Sequence, residues 1–121
     1  MNIKTRNTNE VNIAMISSEE VLITDTRSAL DLIMTVKYET GADRIVINKN
    51  AFAEEFFVLS SGFAGEVLQK FINYHIKAAI YGDYSKYTSK PLHDFIYESN
   101  KGKDFFFMSS CEAAVEKLLA I

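Results

Sequence analysis

The chain has 121 residues, 48% of them hydrophobic, and a formal net charge of −3, which suits one domain that buries a core without metal or disulfide staples. The acidic balance leaves no broad cationic field, so nucleic acid and anionic membrane surfaces are excluded as main partners, and a protein or small molecule is expected instead. The single cysteine rules out an internal disulfide, and no segment reaches the roughly 18 apolar residues of a membrane span, which predicts a cytoplasmic protein.

Asn2–Arg6 and Val11–Ile16 predict a β-hairpin, with Val21–Ile23 as a third short strand. Asp25 and Thr26 offer caps for a helix whose apolar face is Ala29, Leu30, Ile33 and Met34, and Gly41 closes it. Arg44–Ile47 is a β-branched run suited to a buried strand, with its exit marked by Asn48-Lys49-Asn50. Phe52, Phe56, Leu59 and Phe63 then recur at helical spacing, as a short helix or an irregular turn. From Gly62 onward, Phe63, Val67, Leu68, Phe71 and Ile72 describe a longer helix that ends near Asn73–His75.

Ala78–Tyr81 predicts the next strand, broken at Gly82-Asp83. Ser89-Lys90-Pro91 reads as a helix start, with Leu92, Phe95, Ile96 and Ser99 on one face and Gly102 as the stop. Phe105–Met108 predicts a strand buried on both faces, and Ser109 and Glu112 have capping-box spacing ahead of a last helix through Leu119. Strands joined by helices run parallel with right-handed crossovers. The expected class is therefore α/β: residues 1–121 form one domain around a central mixed, mostly parallel sheet, with about four helices and an N-terminal hairpin.

In such sheets the site lies beyond the carboxyl ends of the strands, which here present Asp25, Asn48, Asn50, Asp83, Ser85 and Ser109. Asp25 and Asp83 together could hold Mg²⁺; their simpler reading is a helix cap and a turn residue. His75 and His93 do not stand at metal-ligand spacing, and Cys111 reads as a partly buried small hydrophobe, so no metal or other cofactor is expected. The loop Asp83–Lys90 collects hydroxyls, lysines and tyrosines before a helix, either as a solvated loop or as a site for a phosphate-bearing ligand, with Asp83, Ser85 and Lys86 as its candidates. Phe52, Phe56, Phe57 and Phe63 form either core or the wall of an apolar pocket. Ser60-Ser61-Gly62 sits directly before the helix that begins with Phe63, where a hydroxyl can cap free N–H groups and a phosphate would be stabilised.

Through Phe63-Ala64-Gly65-Glu66, Gln69-Lys70-Phe71, Tyr81-Gly82-Asp83 and Asp94–Asn100, the chain resembles, over nearly its whole length, a bacterial family known as a domain of unknown function. Its element order and Ser60-Ser61-Gly62-Phe63-Ala64 are also similar to the STAS fold of anti-sigma-factor antagonists, whose switch motif is Asp-Ser-Ser-Gly-Leu-Gly at a helix start. The second serine of that motif is phosphorylated by a partner kinase, which breaks a complex. The matching position is Ser61, with Ser60 beside it and Leu59 in place of the motif's aspartate.

No catalytic motif is present, so the expected function is a non-catalytic regulatory or protein-interaction module switched at Ser61. The alternative is a small-ligand or lipid-binding protein whose apolar pocket lies near Phe56 and Phe63, with Asn48 and Asp83 at its polar end.

Overall fold

The computed structural model describes all of Met1–Ile121. Strands β1 (Asn2–Thr8) and β2 (Val11–Ser17) pair antiparallel in register from Asn2–Ser17 to Thr8–Val11. The two loop residues, Asn9 and Glu10, both have positive φ, the backbone of a tight hairpin turn whose twist matches the strands. β3 (Arg44–Asn48), β4 (Lys77–Tyr81) and β5 (Phe105–Met108) follow, each parallel to its predecessor. The sheet is therefore mixed, five-stranded and in sequential order β1-β2-β3-β4-β5.

Four helices cover the sheet: α1 (Thr26–Thr40), α2 (Phe63–Asn73), α3 (Lys90–Lys101) and α4 (Cys111–Leu119). Sequential parallel strands with crossovers of one hand place every connecting helix on the same face. The packing follows: Ile45, Ile47, Ala78, Ile80, Phe105 and Phe107 meet α1, α2 and α3 in the larger core, whereas the alternate residues Ile13, Val46, Ala79 and Phe106 meet α4 in a smaller one. The two-residue period of the strands thus feeds both layers, and each fully buried Ile or Phe contributes about 1.5–3 kcal/mol.

The helix ends carry chemical stops. Asp25 accepts the Ser28 N–H at 2.7 Å, the Ser28 hydroxyl returns to the Asp25 N–H, and Gly41 ends α1 in the left-handed conformation at φ 70°. Ser89 caps α3 ahead of Pro91. The α4 cap is Ser110, which accepts from the Ala113 N–H at 3.1 Å; the expected Ser109–Glu112 box is displaced by one residue. At the other end of α4, the Arg44 guanidinium donates to the Leu118 and Ile121 carbonyls, an arrangement that also suits the helix dipole.

Two further expectations are corrected. Val21–Ile23 does not join the sheet as a strand. It runs beside residues 51–53 in a single parallel bridge between Ile23 and Phe52, because the Leu22 and Ile23 N–H groups both donate to the Ala51 carbonyl, at 2.7 and 2.9 Å. On α1 the buried face is Ala29, Leu32, Ile33 and Val36, with Met34 left exposed. The segment between β3 and α2, expected as a short helix or an irregular turn, is three short 3₁₀ turns, Lys49–Ala51, Glu54–Phe57 and Leu59–Ser61.

Candidate functional site

The carboxyl end of β3 is tied to that of β2 through Asn48, whose Oδ1 accepts the Ser18 N–H at 2.9 Å and whose Nδ2 donates to the Ser18 carbonyl at 2.7 Å. Beyond this clamp the chain turns tightly, and Lys49 folds back over the end of β4. Its stem lies against Gly82, where an added Cβ would stand 2.7 Å from the Lys49 Cβ. Lys49 and Ser18 are the two buried polar residues of the chain.

Lys49 ends among aromatic faces and opposing charges. Its Nζ stands 5.2 Å from the centre of the Phe57 ring and 5.0 Å from that of Tyr87, within cation–π range. The nearest carboxylate oxygen, Glu54 Oε1, is 3.8 Å away, beyond hydrogen-bond reach. Glu54 is engaged elsewhere: it accepts from Lys86 Nζ at 2.9 Å and from the Tyr87 hydroxyl at 3.1 and 3.2 Å. Those bonds, that from Lys86 foremost, hold the Glu54 carboxyl below its usual range. Burial, reinforced by Lys86, lowers the Lys49 ammonium from its ordinary value against the pull of Glu54 and Asp83. Burial also raises the Tyr87 phenol, and its bond to Glu54 adds to that.

The exit loop of β4 completes the arrangement. Asp83 accepts the Ser85 N–H at 2.9 Å, which lowers its carboxyl from the ordinary value. Tyr84 turns inward, its hydroxyl donating to the Ile80 carbonyl at 2.9 Å, and burial raises its phenol. His93 Nε2 donates to the Tyr87 carbonyl at 2.6 Å and pins the loop to the first turn of α3.

Asn48, Lys49, Asn50, Tyr81, Gly82, Asp83 and Lys86 enclose an open pocket of about 340 Å³ at the carboxyl ends of β3 and β4. Lys86 also borders a neighbouring groove of about 430 Å³, which runs past Phe57, Leu59 and Ser60 to Tyr87 and Ser89. Of the residues expected at a site, the fold brings Asn48, Asp83 and Lys86 into one pocket and places Ser60 in the adjoining groove. Ser85 serves this edge through its backbone bond to Asp83. Asn50, expected at the exit of β3, also lines the pocket, whereas Lys49, Tyr81 and Gly82 were not among the expected site residues; the signal that could have marked Lys49 is its position directly after a buried parallel strand.

The aromatic group lies inside. Phe52, Phe56, Phe57 and Phe63 are buried, with ring centroids 4.7 Å apart for Phe52–Phe56, 5.0 Å for Phe56–Phe57 and 5.9 Å for Phe56–Phe63. Edge-on and tilted packing of this kind is ordinary core. Cys111 is half-buried and packs against the smaller core. Asp25 serves as the α1 cap, and no group of three or more His, Cys, Asp or Glu side chains is placed to hold a metal ion.

Ser60 and Ser61 are both exposed. The Ser61 hydroxyl donates to the Glu55 carbonyl at 3.1 Å and accepts the Phe63 N–H, the first of α2, at 3.2 Å. Gly62 makes the corner into α2 in the left-handed conformation at φ 78°, which glycine adopts without strain. No helix of the chain is long and apolar enough to cross a membrane.

No curated protein and no solved structure matches the chain significantly. A family model described as a domain of unknown function matches residues 8–118, which takes in the pocket, the Ser60–Ser61 turn and four of the five strands in full. The chain belongs to that family, DUF4180.

Proposed function

We propose that the chain is a non-catalytic regulatory module of the cytoplasm that docks a protein partner through the edge carrying Ser60 and Ser61, and that phosphorylation of Ser61 releases the partner. The observation that carries this reading is the exposed Ser61 hydroxyl, which donates to the Glu55 carbonyl and accepts the Phe63 N–H at the start of α2. A phosphate ester on that oxygen has no proton to donate, so the bond to Glu55 is lost. Its anionic oxygens are placed to take up free N–H groups of the first turn of α2 beside the Glu55 carbonyl. Added charge of nearly two units at such a place reorders a helix start and repels an acidic docking surface.

The resemblance of Ser60-Ser61-Gly62-Phe63-Ala64 to the STAS switch motif supports the same reading, since the triplet directly precedes α2. The competing reading, an apolar ligand or lipid held near Phe56 and Phe63, requires the packed rings to separate. It is therefore the weaker of the two.

Phosphosite mapping by mass spectrometry of the protein recovered from its native host, across growth and stress conditions, tests the proposal. Phosphate at Ser61 supports it. Phosphate confined to other residues, or absent throughout, counts against it.

A further inference from the structure

We infer that the pocket at the ends of β3 and β4 binds a small monocarboxylate that also carries an amino or hydroxyl group, of amino-acid or hydroxy-acid size, with Lys49 as its principal anchor. The inference is independent of the role proposed for Ser61.

The side chain of Lys49 keeps 10% of its surface exposed, and its nearest anionic oxygen is 3.8 Å away. The Lys49 stem is covered while its ammonium keeps contact with solvent and has no hydrogen-bond acceptor within the chain, so it is partly desolvated and free to take one from a ligand. The two aromatic faces soften that desolvation without supplying an acceptor. Glu54, the one carboxylate within ion-pair distance, is already bound to Lys86 and Tyr87. A ligand oxygen would take the place at the ammonium that is open to water.

The surrounding groups set its chemistry. Of the seven residues around the pocket only Tyr81 is hydrophobic, so the ligand is polar. A volume of about 340 Å³ falls at the small end of ligand pockets, roughly 300–1,000 Å³. Lys49 and Lys86 favour an anionic end. Asp83, ionised and exposed, has acceptor capacity beyond its bond to Ser85 and favours a donor at the other end. Two lysines are balanced by Asp83 and Glu54, which disfavours a phosphate dianion and suits a ligand of net charge zero or −1. The Asn48 amide is committed to Ser18, which leaves Asn50 to add neutral polar contacts.

The test is a two-dimensional NMR titration of the full chain with L-serine, L-lactate, acetate and inorganic phosphate at millimolar concentrations. The expected result is saturable shifts at residues 48–50 and 81–86 with serine or lactate, and weaker binding of acetate and phosphate. Lys49→Met, folded as judged by an otherwise unchanged spectrum, weakens the bound acid by about thirtyfold or more. Asp83→Asn, which leaves the core untouched, reduces the preference for serine or lactate over acetate. Phosphate binding more tightly than every carboxylate, no saturable shift with any of the four, or shifts that persist unchanged in folded Lys49→Met would each overturn the inference. If Lys49→Met does not fold, an unaltered preference in Asp83→Asn overturns it.

Discussion

Gly82 and Lys49 are in contact across the ends of adjacent strands, and a Cβ on Gly82 would stand 2.7 Å from that of Lys49. Both atoms are fixed directly to backbone, so no rotamer change relieves the clash. Gly82→Ala is expected to cost about 1–3 kcal/mol in urea unfolding and to shift the NMR signals of Lys49 and Asn50. Gly65, inside α2, has nothing within 4 Å of the corresponding position. Gly65→Ala is therefore expected to stabilise the chain by about 0.4–1 kcal/mol.

Lys49 is costly to the ligand-free chain. Because burial lowers its folded-state value below the ordinary 10.5, the unfolded chain binds more protons between the two values. Stability therefore rises with pH through that alkaline window; the cost is fully present below the folded value and has gone once pH passes 10.5. Lys49→Met, which removes the charge and keeps the stem, is expected to hold or raise Tm at neutral pH and to abolish this alkaline rise. A clear fall in Tm at neutral pH would show that the ammonium is already well paired.

The edge of β5 is closed by a side chain. Asn100 accepts the Phe107 N–H at 2.7 Å and donates to the Phe107 carbonyl at 3.2 Å, taking up groups that would otherwise template another strand. Asn100→Ala is expected to cost about 1–3 kcal/mol and to expose the Phe107 amide to hydrogen exchange. Sedimentation would detect any self-association through the freed edge.

Ser61→Ala removes both local bonds at the entry to α2. The expected outcome is a loss of about 1 kcal/mol, with faster exchange confined to the first turn of α2. Unfolding of the whole domain would mean that the turn holds the fold rather than regulating it.

The sheet was legible because each parallel strand is a short apolar run: Ile45, Val46 and Ile47 are buried on both faces, as are Phe105, Phe106 and Phe107. Helix limits were legible at Asp25, Gly41, Ser89 and Gly102, where local hydrogen bonding or a special backbone conformation leaves a residue-level mark. Val21–Ile23 has equal strand character, yet its partner is a 3₁₀ segment that composition does not reveal. The 3₁₀ turns themselves defeated a period of 3.6, since their residues follow a tighter repeat. Lys49 was read as part of a polar exit, because nothing in the sequence brings Glu54, Phe57, Tyr87 and Gly82 around it. Asn48 and Asp83 were singled out by the rule that sites lie at carboxyl ends of parallel strands, and Lys86 by the lysines and hydroxyls gathered in the loop before α3.

The most direct measurement is quantitative affinity capture from the native host with wild type, Ser61→Ala and Ser61→Asp, each first shown to be folded. A partner retained equally by wild type and Ser61→Ala and strongly depleted with Ser61→Asp is the predicted result. Equal capture by all three would contradict a switch at Ser61.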